Sequence, residues 1–326
     1  MTEEPDEGMT YAGAGVDVDA SEAATAALVD AVSGVGNTAD YAGLVPVGDR
    51  YLALATDGVG TKLLVAEAVG DYSTVGVDCV AMNVNDLAAA GVTPSAFVDY
   101  LAVDEPSESL TAEIGEGLAA GAEEAEMALV GGETAVMPEV VTGFDLAGTA
   151  AGLATADDLL PGEAEVGDVL VGFPSSGIHS NGLTLARKAA TADGGYDDPF
   201  PYDGYETVGD ALLEPTRIYT YLIEHLRDVD AHAAAHVTGG GWTNLSRMGE
   251  RRYAVTDPLP VQDVFRFVQE RGGVTEEEMH RTFNMGTGFV VALEARAADA
   301  LCAATDGRRI GRVEAGEGVE VRGLTL

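Results

Sequence analysis

Basic residues are scarce in this chain: 17 lysines and arginines stand against 55 aspartates and glutamates, a formal net charge of −38 at pH 7. Only two of the bases are lysine, Lys62 and Lys188. Neutralising phosphates requires the opposite sign, so nonspecific binding to nucleic acid or anionic lipid is not expected. Cysteine is nearly absent too. Cys79 and Cys302 sit in separate apolar runs, which excludes a disulfide framework and reads as inert thiols in a reducing compartment. No run approaches the ~20 apolar residues that cross a bilayer. The opening MTEEPDEG is acidic where a secretion signal would be basic and then apolar. A cytoplasmic location is therefore expected.

What is present is a globular composition, 46% apolar and 22% charged over 326 residues, about two domains' worth at ~150 residues each. Strand-like and helix-like segments alternate. Strands are expected over 51–56, 95–103, 128–130, 145–153, 169–173 and 288–293, and helices over 73–90, 109–127, 183–189, 212–226 and 261–270. That order argues for an α/β (α+β layered) fold. The turn-rich stretch 157–168 is a candidate boundary between an N-terminal domain, 1–160, and a C-terminal one, 168–326.

Polar residues collect at the ends of strands. Thr56-Asp57-Gly58-Val59-Gly60-Thr61-Lys62 offers bare amides, a lysine and a carboxylate, which suit a phosphate and a divalent cation; the alternative is a simple Asp-Gly turn. Asp78, Asn85 and Asp86 share one side of the 73–90 helix, either as oxygen ligands for Mg²⁺ or, for the last two, as a fraying terminus. Gly131-Gly132-Glu133-Thr134 is expected to be a loop directly after a strand. Ser175-Ser-Gly-Ile-His179-Ser180-Asn181-Gly182 precedes a helix, as an anion cradle or as its cap. His236-Val-Thr238-Gly-Gly-Gly-Trp242-Thr243-Asn244 concentrates three glycines, whereas His225 and His232 have no evident partner. Arg281 either meets a phosphate or bridges to one of the many acids. No zinc cluster, GxSxG or HExxH is present.

In this order the motifs resemble the phosphoribosylformylglycinamidine cyclo-ligase (aminoimidazole ribonucleotide synthetase) family. The matching segments are Ala14-Gly-Val-Asp-Val-Asp19, Asp57–Lys62, Ala81-Met-Asn-Val-Asn-Asp-Leu87, Leu129–Ala135 with Met137-Pro138, Ser175–Gly182, Pro215-Thr-Arg-Ile-Tyr219, Thr238–Asn244 and Arg281–Gly288. The resemblance implies an ATP-dependent ring closure in purine biosynthesis, in which formylglycinamidine ribonucleotide and ATP give aminoimidazole ribonucleotide, ADP and phosphate. It implies ATP and Mg²⁺ as cofactors. Asp57, Asp86 and Glu133 are the metal candidates, and Asp57, Gly58, Gly60, Thr61 and Lys62 contact the nucleotide. Gly132, Glu133, Thr134, Ser180 and Asn181 contact the substrate, and Lys62, His179 and Asp86 are the candidate catalytic groups. A histidine with its ordinary pKa of ~6.5 is suited to proton transfer. The resemblance further implies two α/β domains and a homodimer formed through the N-terminal sheet. Two departures are an opening without basic residues and a glycine-rich segment shortened to Ala39-Asp-Tyr-Ala-Gly43. Selenophosphate synthetase, a sister enzyme, would want a cysteine ahead of Cys79.

The acids are dispersed singly, as in Glu113, Glu116, Glu123, Glu124 and Glu126, the pattern of a solvated helix face. Self-repulsion at this charge is strong in dilute buffer and weak in molar salt, where the Debye length falls to ~3 Å. The thermal midpoint is expected to rise by 10 °C or more, roughly, between ~0.05 M and ~3 M KCl. An unchanged midpoint would contradict adaptation to a salt-rich interior.

Overall fold

The computed structural model describes residues 8–16, 18–32 and 41–326. Asp17 and residues 39 and 40 of the shortened segment lie outside them. Two short helices, α1 (Tyr11–Ala14) and α2 (Val18–Val32), precede the first sheet. Its elements are β1 (Gly43–Val47), β2 (Arg50–Gly58), α3 (Leu63–Val69), α4 (Val75–Ala89), β3 (Pro94–Val103), α5 (Glu108–Glu124), β4 (Ala128–Val136) and β5 (Phe144–Ala154). The strands lie in the order β1-β2-β5-β3-β4, antiparallel except for the parallel β3–β4 pair.

The second half holds β6 (Val169–Pro174), α6 (Leu183–Ala190), α7 (Val208–Leu213), α8 (Ile223–Asp228), β7 (Ala233–His236), β8 (Arg252–Val255), α9 (Asp263–Gly272), α10 (Glu276–Thr282), β9 (Thr287–Leu293), α11 (Ala295–Ala304), β10 (Arg308–Glu314), β11 (Gly318–Val321) and β12 (Leu324–Thr325). These strands form a sheet in the order β12-β11-β8-β10-β6-β9-β7. The mixed α/β architecture is the expected one. Among the described residues no helix is long and apolar enough to cross a membrane.

Helix α4 explains how the two halves meet. All of its residues but Val77 and Asp86 are buried, the signature of a helix with packing partners all round. On one side it packs against the first sheet. On another it crosses α5 so closely that a Cβ on Gly76 would lie 2.3 Å from Leu118 N, so only glycine fits. Its remaining side faces the second half, where Asn85 bonds to Tyr219 and Arg217. Helix α5 turns Glu116, Glu123 and Glu124 to solvent, as their spacing implied.

Two expectations are corrected. The strand at 128–130 continues to Val136, so Gly132, Glu133 and Thr134 are rungs of β4 paired with Asp99, Tyr100 and Leu101, not a loop. Parallel pairing with β3 places them in the ladder, and a register shift between Phe97 and Val98 leaves Val130 as the extra residue of β4. The helix expected over 212–226 is broken: α7 stops at Leu213, and a turn at Thr220–Leu222 restarts the coil into α8. Pro215 cannot donate within a helix, and the backbone of 214–219 bonds to side chains from elsewhere instead.

Candidate active site

Loops from both halves converge on the C-terminal part of α4. Asn83 donates to Asp57 O at 3.2 Å, Met82 Sδ takes a bond from Asn181 at 3.6 Å, and Asp86 Oδ1 accepts from His236 Nδ1 at 3.0 Å. Thr61 and Thr184 join hydroxyls at 3.0 Å. A Cβ on Gly239 would lie 3.3 Å from Asn181 Oδ1, so the triple-glycine segment also borders this centre.

Asp57 ends β2, and its Oδ1 accepts the Gly58 N–H at 2.7 Å. Burial raises its pKa above the ordinary carboxylate value; the Gly58 amide opposes this, and the neighbouring Asp86 pushes the same way. The Arg247 guanidinium acts in the opposite direction. Each carboxylate spends Oδ1 on the protein, and no bond from the described residues reaches either Oδ2. Among the described residues no group of three or more His, Cys, Asp or Glu forms a complete metal cage. A paired-carboxylate site of this kind suits Mg²⁺, which keeps waters and completes its shell with phosphate oxygens. Gly60 has φ 70° with open space around its Cβ position, so backbone conformation rather than room demands glycine there.

Lys62 lies elsewhere than the phosphate side. It is fully buried, its Nζ 2.9 and 2.8 Å from the two Asp78 oxygens and 2.6 Å from Glu214 O. Burial lowers its pKa and Asp78 counters the shift. Asp78 also accepts the Thr216 N–H and hydroxyl, at 2.7 and 2.6 Å. Of the four polar residues on α4, Asp78, Asn83, Asn85 and Asp86, only Asp86 is not buried.

His179 is 1% exposed and has φ 65°, a left-handed backbone rare for a side chain this size. Its Nε2 accepts from Ser176 N at 3.2 Å, while Nδ1 has no partner. Burial, helped by the cations Lys62 and Arg217 around it, holds its pKa well below 6.5. The expectation of an ordinary, titrating imidazole is thus corrected: this ring is neutral and set into the loop.

Glu133 is not gathered with Asp57 and Asp86. Asp57, Gly148, Asp99 and Gly132 form one row across the sheet, about 14 Å over three strand spacings. Glu133 is one residue further and projects from the opposite face. Arg281 bridges to Glu277 at 3.1 Å on an exposed helix face, the structural alternative. His236 is the functional neighbour whose role the sequence left unassigned; its place at a strand end before three glycines was the only signal. His232, without an evident partner in the sequence, pairs with Asp168 at 2.9 Å.

Two sheets clasping one buried helix, with polar loops converging on Asp57 and Asp86, define a mixed α/β class. Residues 39–154 match the family described as AIR synthase related protein, N-terminal domain, and residues 165–323 match its C-terminal domain. The chain belongs to this AIR synthase related family. Curated relatives named phosphoribosylformylglycinamidine cyclo-ligase include one from Methanosarcina acetivorans, 45% identical with 98% of each chain covered, and one from Thermococcus gammatolerans, 52% identical over 78% of this chain and 75% of that one. Among solved structures, thiamine monophosphate kinase from Aquifex aeolicus superposes with a TM-score of 0.66 at 18% identity, covering 95% of this chain and 99% of that one. E. coli HypE, a hydrogenase maturation protein, gives 0.59 at 20% over 91% and 88%. These two likenesses concern the fold.

The neutral His179 has a thermodynamic consequence. Above pH ~6.5 both folded and unfolded chains carry it neutral; below, only the unfolded chain binds the proton, and stability falls by up to about 1.4 kcal/mol per pH unit. Between pH 7 and 5.5, urea unfolding of wild type is expected to lose about 1 kcal/mol more than that of His179→Asn. Equal losses would show an imidazole that titrates freely in the folded chain.

Proposed function

We infer that this chain catalyses the ATP-dependent closure of formylglycinamidine ribonucleotide to aminoimidazole ribonucleotide, with release of ADP and phosphate, in purine biosynthesis. The observation that carries the reading is 45% identity over 98% of the chain to relatives bearing the cyclo-ligase name. The site is chemically suited to it. ATP would transfer its γ-phosphoryl group to the formyl oxygen, an amidine nitrogen would attack the activated carbon, and phosphate would leave. Such chemistry asks for positioning and charge stabilisation and needs no covalent residue. Asp57 and Asp86 would hold Mg²⁺, which supplies charge neutralisation on the phosphates when bound. The amides of Gly58 and Gly60, with Thr61, orient the nucleotide. Ser180 and Asn181 orient the ribonucleotide, His179 shapes their loop, and Lys62 positions the nucleotide loop from behind. Gly132, Glu133 and Thr134 lie on the exposed edge strand β4.

The same reading includes a homodimer. The outer face of the first sheet exposes Val45, Val47, Leu54, Val98, Tyr100 and Leu153, an apolar patch of the kind that partners cover. Covering it would place Glu133, on that face, at a subunit boundary. We also propose a cytoplasmic location in a salt-rich cell and a division into units 1–160 and 168–326.

ADP release in molar KCl is the test, with formylglycinamidine ribonucleotide compared against thiamine monophosphate and selenide. Turnover is expected with the ribonucleotide alone. Asp57→Asn and Asp86→Asn should each lower kcat by about 100-fold or more, with an unchanged or slightly higher thermal midpoint, because like charges are relieved. Full activity in either variant would remove the carboxylate pair from the mechanism.

A further inference from the structure

Segment 214–219 has no role in the chemistry above, yet its backbone is held from two sides. From the nucleotide loop and α4, Lys62 Nζ donates to Glu214 O at 2.6 Å and Asp78 accepts the Thr216 N–H at 2.7 Å. Fully buried Asn85 acts as a clamp: Oδ1 accepts the Tyr219 N–H at 2.8 Å while Nδ2 donates to Arg217 O at 2.9 Å. From the opposite side, Ser176 Oγ donates to Pro215 O at 2.5 Å. His179 Nε2 accepts the Arg217 N–H at 3.5 Å, and Tyr219 OH donates to Pro174 O at 2.9 Å. Ser180 Oγ lies 3.3 Å from Thr216 Oγ1. Buried backbone groups must be paired, and here side chains of two distant regions do the pairing.

We propose that Asn85 and Ser176 are positioning residues for the ribonucleotide. Asn85 fixes the 214–219 strap to α4, and Ser176 fixes the 175–182 loop to the strap. The loop that carries Ser180 and Asn181 is thereby held at a set distance from Asp86, which follows Asn85 in the same helix. This rests on the assignment of 175–182 to the ribonucleotide. The nucleotide side has its own anchors, Asn83 to Asp57 and His236 to Asp86, and meets the clamp where Asn85 Nδ2 lies 3.4 Å from His236 Nε2. Ser176 touches none of these anchors, so loosening the strap at Ser176 acts on the ribonucleotide side alone.

The experiment compares Michaelis constants of wild type, Asn85→Ala, Ser176→Ala and Ser176→Thr, normalised to active-site concentration. The KM for formylglycinamidine ribonucleotide is expected to rise about tenfold or more in both alanine variants, since small misplacements are costly in bound geometry. In Ser176→Ala the KM for ATP should stay within about twofold, and Ser176→Thr, which keeps the hydroxyl, should restore the wild-type value. A ribonucleotide KM within twofold of wild type, or an equal rise in both constants in Ser176→Ala, overturns the proposal. Should Asn85→Ala not fold, the two Ser176 variants decide alone. A wild type that turns over while the variants are unmoved overturns only the strap. A wild type that does not turn over overturns the functional reading and this one with it.

Discussion

The architecture depends on one buried ion pair. Lys62 and Asp78 lie in the first half of the chain, yet both also bond to the second, Lys62 to Glu214 O and Asp78 Oδ1 to Thr216. Taking two charges out of water costs several kcal/mol per ion, and only saturation of the remaining donors and acceptors offsets it. The compact ammonium donates to Asp78 Oδ1 and Glu214 O and lies 2.8 Å from Asp78 Oδ2. A planar guanidinium, with five donors in a rigid fork, could not satisfy itself in that space. This accounts for a lysine in a chain that otherwise relies on arginine: the residue is kept for its shape, behind the Asp57–Thr61 loop, with its ammonium fully buried.

Surface and site obey different electrostatics. The acids that produce the net charge of −38 are spread over solvated faces such as that of α5, where salt screens them. At the centre, half-buried Asp86 bonds to the buried His236 at 3.0 Å, and buried contacts are screened far less. A salt-rich solvent can therefore stabilise the exterior while leaving the chemistry of the interior intact.

Much of this was legible in the sequence. The helix expected over 73–90 is α4 at 75–89, and the strand expected over 95–103 is β3 at 94–103, because apolar periodicity and flanking turn residues act locally. The glycine loop at Asp57 and the acid at Asp86 were visible as strand-end and helix-face polar residues. What escaped was long-range. Gly131 and Gly132 read as a loop because their strand character comes from pairing with β3. The 212–226 helix looked continuous because side chains 130 or more residues away claim its backbone. Glu133 shares a motif with site residues but alternation along β4 turns it to the other face. Nothing local foretold that Lys62 would meet Asp78, or that His179 would be buried and neutral.

Locking of the two halves by Lys62 and Asp78 is measured by a double-mutant cycle in molar KCl. Urea unfolding of Lys62→Met and of Asp78→Leu should each show a loss of about 3–5 kcal/mol. The double variant should lose clearly less than the sum, by about 1.5 kcal/mol or more. Additive losses below about 1 kcal/mol each, as for an exposed pair, would contradict the account.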